Sequence, residues 1–302
     1  MTREQMITEI TNATEPFTPS MDFLDDDSLK ALYEKEVGST KNGRISIWDI
    51  LVDVVRTIGH SDYKDDIVFR GAFVLVSHLR AFGINTDRLT EDIDMDWKST
   101  DKWKEFHDDL PTLLTSASSL GLRYSYDESS GDFSLEKMKL VLVAEKKDFV
   151  RTFALDLSHR DILNVMELNI ADTAVNAGDL YISLCDKLNV FATQRIGARI
   201  KDFYDIYLIS HYDTINLIIL VKCWRDAGYA LPEIIFGLSP QNFGRMKKPF
   251  EIHSKMRFDN TVFEDIMARV VDFTTNIFIA MRTSKSYGVI WNADKGVWED
   301  EK

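Results

Sequence analysis

The chain predicts an α+β fold: a mixed sheet with helices in the N-terminal half and a mainly helical C-terminal half. Three observations carry this. Short apolar runs bounded by polar turns recur between Asp66 and Ser158, which is the pattern of strands. Stretches with apolar residues three and four apart lie among them, which is the pattern of helices. Beyond about Ala171 the helical pattern takes over. Two domains are therefore expected, an α/β domain over 1–170 and a mainly helical one over 171–302.

In order, residues 1–20 are polar, with Pro16 and Pro19, and read as a loose arm. Leu29, Leu32 and Val37 have roughly helical spacing, with N-cap candidates at Asp25 to Ser28. Ile45 to Ile58 is a stronger helix, with Ile47, Ile50, Leu51, Val54, Val55 and Ile58 in one core-facing stripe. A short strand from Asp66 ends at Gly71, and Ala72 to Arg80 follows as helix. A second strand lies around Asp92 to Trp97. Ser99 to Leu120 reads as a helix that buries Trp103, Phe106, Leu110, Leu113 and Leu114. Arg123 to Tyr126, Phe133 to Leu135, Lys139 to Ala144 and Thr152 to Leu157 read as strands. Helices are expected over Gly178 to Arg195, Ile200 to Ile209, Thr214 to Asp226, Glu233 to Phe236 and Thr261 to Met281. A terminal hairpin is expected from Tyr287 to Trp298, turning at Asn292 to Gly296.

Composition narrows the class. Hydrophobic residues make up 45% of the 302, enough for a substantial core. The two cysteines, Cys185 and Cys223, make no disulfide framework and suit a reducing compartment. The N-terminus lacks the apolar run of a signal peptide, and the most apolar stretch, Ile215 to Val221, is too short for a membrane span. A soluble cytoplasmic protein with no membrane partner is expected. The net charge of −13 argues against general nucleic-acid binding, which depends on neutralising phosphates, but leaves room for a local basic patch.

The most informative stretch is Arg88 to Trp97. Asp92, Asp94 and Asp96 alternate with Ile93, Met95 and Trp97. In a strand the three carboxylates share one face. Crowded carboxylates repel, and a divalent cation relieves that. Oxygen ligands of this kind suit Mg²⁺, with substrate phosphates completing the shell. A solvated edge strand is the competing explanation. The strand–Gly71–helix geometry upstream can aim backbone N–H groups at an anion, although a glycine there is most often only a turn. Asp156 sits among apolar residues; if buried it must be paired or metal-bound, and an exposed strand end is the alternative.

Four segments stand in order: Phe69-Arg-Gly-Ala72, Thr90-Glu-Asp-Ile-Asp94, Leu155-Asp-Leu157, and Asp186-Lys187 with Arg195 and Lys201-Asp-Phe-Tyr-Asp-Ile-Tyr207. Together, over about Ile67 to Leu208, they resemble the AbiEii/AbiGii toxin family, which includes MenT-like toxins. This family belongs to the DNA polymerase β-like nucleotidyltransferase superfamily. The resemblance implies a nucleotidyltransferase-like sheet domain that uses Mg²⁺ or Mn²⁺ and a nucleoside triphosphate. It implies that Asp92 and Asp94 hold the metal and that Asp156 is a third carboxylate, which shares a metal or activates the acceptor hydroxyl. Lys187 would contact the triphosphate, and Asp202 would face Lys187 or the site. Asp94, Asp156, Lys187 and Asp202 are the catalytic candidates, with Asp205 a structural acid. Arg70, Gly71, Thr90 and Lys187 are the nucleotide-binding candidates. The turn departs from the family pattern: Arg70 precedes Gly71 and Ala72 follows, so backbone N–H groups and Arg70 stand in for a missing hydroxyl.

The resemblance further implies a toxin of a toxin–antitoxin or abortive-infection system, with a cognate antitoxin protein and roles in phage defence. The acceptor implied is the 3′ end of tRNA. The densest basic segment, Arg245, Lys247, Lys248, Lys255 and Arg257, is the candidate RNA contact; a solvated helix or loop explains it as well. Transfer to a protein hydroxyl, or nucleotide binding without turnover, are the alternatives.

Overall fold

The computed structural model describes residues 45–84, 86, 88, 90–98, 102–133, 137–147, 149–159, 164–192, 200–212, 215–230, 246–247, 250, 263–283 and 288–301. The N-terminal arm, the helix around Leu29 to Val37 and the Glu233 to Phe236 segment lie outside these residues. The chain divides into two compact units. One comprises Gly38–Phe82 and Arg88–Leu180, and the other consists mainly of Tyr181–Lys302.

The first unit is built on a seven-stranded mixed sheet. Its strands are β1 (Ile67–Arg70), β2 (Asp92–Trp97), β3 (Arg123–Phe133), β4 (Lys137–Lys146), β5 (Phe149–His159), β6 (Val165–Ile170) and β7 (Thr173–Gly178). Their spatial order is β3-β4-β5-β2-β1-β7-β6. β2 runs antiparallel to β1 and parallel to β5, and β1 runs parallel to β7. The helices of this unit are α1 (Ile47–Gly59), α2 (Gly71–Ala81) and α3 (Trp103–Ala117).

Local chemistry explains the elements. Ser46 opens α1 through a capping box: its hydroxyl accepts from the Asp49 N–H, and the Asp49 carboxylate accepts from the Ser46 N–H at 2.9 Å. The expected stripe from Ile47 to Ile58 is buried, each side chain contributing roughly 1.5–3 kcal/mol. In β4 and β5 the alternation sends Met138, Leu140, Leu142, Ala144, Phe153, Leu155 and Leu157 into one core with Phe106, Leu110 and Leu114 of α3. Asp53 of α1 anchors the α3–β3 connection, accepting from the Ser118, Ser119 and Tyr124 hydroxyls and the Ser119 N–H.

The β6–β7 hairpin is not anticipated by the sequence reading, and it carries the sheet to Gly178, past the change of character near Ala171. Its turn, Ala171–Asp172, has positive φ at both residues without a glycine. The usual turn signature is therefore absent. His78 of α2 ties to β7 through Nε2 and the Gly178 carbonyl, 3.0 Å apart.

The second unit contains α4 (Leu180–Ala192), α5 (Ile200–Ile209), α6 (Leu217–Asp226), α7 (Phe263–Thr283) and the hairpin β8 (Val289–Asn292) and β9 (Val297–Asp300). Trp291 and Trp298 pack around Phe273 of α7. The Trp291 indole N–H donates to the Ser210 carbonyl at 2.5 Å, docking the hairpin on the end of α5. No helix among the described residues is long and apolar enough to cross a membrane.

Candidate active site

The acids of β2 do share a face. Ile93, Met95 and Trp97 enter the core, while Asp92, Asp94 and Asp96 point the other way. Their environments differ. Asp96 is buried and forms an ion pair with the buried guanidinium of Arg70 on the neighbouring strand. Asp92 and Asp94 remain partly exposed. The third aspartate thus serves the interior. A buried pair of this kind holds strands in register, and losing one partner would leave an uncompensated charge. Arg70, expected to meet nucleotide, has its guanidinium engaged by Asp96.

Thr90, also expected at the nucleotide, is buried, and its hydroxyl donates to Asp92 Oδ1 at 2.6 Å. It orients the Asp92 carboxylate. Gly71 begins α2 with φ +72°. A Cβ built there would lie 1.8 Å from Asp94 Oδ2. The glycine lets the backbone press against the carboxylate, a close approach that a side chain would block.

Asp156 arrives from β5. It is the register partner of Asp94 across the parallel β2–β5 ladder, so the two carboxylates stand side by side on the same face. Burial pushes the Asp156 carboxyl above the usual carboxylate range. The ammonium groups of Lys139 and Lys137 pull it back in part, and Asp92 pushes it further up. Its Oδ1 is sealed from solvent without a hydrogen-bond partner among the described residues. Lys139, which the sequence reading did not single out, is the cross-strand partner of Asp156 on β4 and is exposed.

The residues fit a divalent cation in a particular way. Among the described residues no group of three or more His, Cys, Asp or Glu side chains is placed to hold a metal ion by itself. Mg²⁺ characteristically takes one or two carboxylates and completes its shell with water and phosphate oxygens. Asp92 and Asp94, partly exposed on one face of β2, are two carboxylates of the kind such a partial shell uses.

In the second unit, Lys187 on α4 meets two acids of α5, Asp202 Oδ1 at 2.6 Å and Asp205 Oδ2 at 2.9 Å. Both acids are buried. Lys187 and Asp202 are therefore together, and Asp205 completes the group. Of the basic segment, Lys247 is described and pairs with Glu264, while Arg245, Lys248, Lys255 and Arg257 lie outside the described residues. Arg195 lies outside them too.

A comparison with curated proteins finds no match. Among solved structures, a Helicobacter pylori protein put forward as a nucleotidyltransferase is similar over 79% of this chain and 96% of its own, at 14% identity and a TM-score of 0.50. At that identity the likeness bears on the fold alone. MenT4, a nucleotidyltransferase toxin of Mycobacterium tuberculosis, matches 93% of this chain and 99% of its own at 11% identity, with a TM-score of 0.44. The sequence model described as the nucleotidyl transferase AbiEii toxin of a type IV toxin–antitoxin system matches residues 53–273. That match spans the acids of β2, the Gly71 turn and the Lys187 group. The chain belongs to the AbiEii family of nucleotidyltransferase toxins.

Proposed function

We propose that this toxin transfers a nucleoside monophosphate from a nucleoside triphosphate, in the presence of Mg²⁺, to a hydroxyl at the 3′ end of an RNA, with tRNA as the acceptor. The observation that carries the reading is the side-by-side placement of Asp94 and Asp156, with Asp92 held by Thr90 and Gly71 pressed against Asp94.

In the reaction the acceptor oxygen forms a bond to the α-phosphorus. The bond from that phosphorus to the bridging oxygen breaks, and pyrophosphate leaves on the opposite side. A divalent ion, held by Asp92 and Asp94, would supply charge neutralisation for the triphosphate. Asp156 takes the proton of the attacking hydroxyl. Its raised pKa suits this, because a carboxylate is a better proton acceptor when its pKa moves toward the working pH. The N-terminal N–H groups of α2, which no side chain caps, suit the phosphate tail. The family resemblance assigns Lys187 to the triphosphate as well, and Asp202 to orienting Lys187. Membership of a type IV toxin–antitoxin family supports a cognate antitoxin that restrains this activity.

Incubating the protein with Mg²⁺, each labelled triphosphate and total tRNA tests the reading. Label on RNA, lost in Asp94→Ala, supports it. Label on protein instead would replace the acceptor, and no transfer at all would overturn it.

A further inference from the structure

We infer that Lys139 is an acceptor-binding residue, gripping the phosphate next to the attacking hydroxyl of the RNA. The inference rests on the reading of the site as an RNA-modifying nucleotidyltransferase and adds a residue and a direction to it.

Across the sheet the sequence is β4, β5, β2, β1. Along one line of register partners stand Lys139, Asp156, Asp94 and Arg70, all on one face. Neighbouring strands are about 4.8 Å apart. The acids occupy the middle of this line. At the β1 end, Gly71 and the start of α2 offer backbone N–H groups to the phosphate tail. In-line displacement requires that the attacking oxygen and the leaving pyrophosphate sit on opposite sides of the phosphorus. If pyrophosphate leaves toward the β1 end, the acceptor hydroxyl enters from the β5–β4 side.

What stands on that side suits an RNA end. Lys139 is exposed, and its ammonium lies near enough to Asp156 to pull that carboxyl down. Lys137 is exposed on the same face, one pair further along at Ser158. In the other direction the face continues through the partly buried Val141 and Ala154 to the exposed Thr152, free of acids at those positions. The chain carries a net charge of −13, so an RNA needs positive charge placed close to the chemistry. Lys139 provides it on the strand next to Asp156. A lysine acts there as a point charge on a phosphodiester, with no demand for a particular base.

The test uses the full chain and steady-state transfer to tRNA, with triphosphate and tRNA varied separately. In Lys139→Ala the apparent KM for tRNA should rise by about tenfold, as expected for one lost charge-assisted contact. The KM for triphosphate should stay unchanged. The slope of log affinity for tRNA against log salt should shrink by about 1, and Lys139→Arg should restore most of the affinity. Unfolding temperature is the folding control, because the side chain is exposed. A rise in the triphosphate KM with the tRNA KM unchanged would overturn the inference by placing Lys139 on the nucleotide. Unchanged values for both would overturn it as well, and either result would leave RNA transfer by the wild type standing. If the wild type itself moved no label to RNA, the underlying reading would fall and the inference with it.

Discussion

Gly71 and Asp94 are packed so closely that no side chain fits between them: a methyl group on Gly71 would lie 1.8 Å from Asp94 Oδ2. The turn at the end of β1 thereby sets where the Asp94 carboxylate stands. Gly71→Ala should displace that carboxylate and lower transfer by about 100-fold or more, the scale seen when a reacting group is misplaced by about 1 Å. The positive φ adds a stability cost of roughly 1–2 kcal/mol. Initial rates and thermal unfolding of the purified variant check both numbers.

Thr90 acts on Asp92 through one hydroxyl hydrogen bond. Thr90→Val keeps the shape and removes the donor. Transfer should fall about tenfold, with a stability loss of roughly 1 kcal/mol. Thr90→Ser keeps the donor and should retain most of the rate. A loss in Thr90→Ser with the rate kept in Thr90→Val would show that the methyl group matters and the hydroxyl does not.

Asp156 links activity to pH. Its carboxyl is shifted upward by burial, so the acid limb of the rate profile should lie above the ordinary carboxylate range. The same shift weakens the fold. A carboxyl whose pKa is higher in the folded state than in the unfolded state destabilises the protein when ionised. The penalty is complete above the folded pKa and disappears as pH falls below the unfolded value of about 3.9. Asp156→Asn should therefore abolish most transfer yet unfold at a higher temperature near pH 7 in the presence of a chelator. That gain should shrink as pH falls and vanish once the pH is well below the unfolded value. A loss of stability at neutral pH would contradict the assignment.

Lys187 holds Asp202 and Asp205 at once. Removing the ammonium leaves two buried carboxylates facing each other. Lys187→Ala should cost on the order of 3–5 kcal/mol, the scale for breaking a buried pair. Lys187→Ala in an Asp202→Asn, Asp205→Asn background should cost much less. Denaturant unfolding of the variants measures the difference, and it separates the lysine's structural work from its proposed contact with triphosphate.

Much of this was legible along the chain because the signals are local. The alternation of Asp92 to Trp97 has period two, and β2 obeys it. The stripe from Ile47 to Ile58 has helical period, and α1 buries it. The Ala171–Asp172 turn was not legible, since it reaches positive φ without glycine and conceals the β6–β7 hairpin.

By itself, the order of residues determined that acids line one face of a strand, that a glycine ends the strand before it, and that a helix lysine is followed by paired aspartates. Only the tertiary structure decided which acid does what. Pairing between strands is non-local: it brings β5 beside β2, sets Asp156 against Asp94 and Lys139 against Asp156, and brings in β1 to neutralise Asp96 with Arg70. Three aspartates that look alike in the sequence become chemically different because each meets a different neighbour. Those neighbours are chosen by the packing of the core on the other face of the sheet.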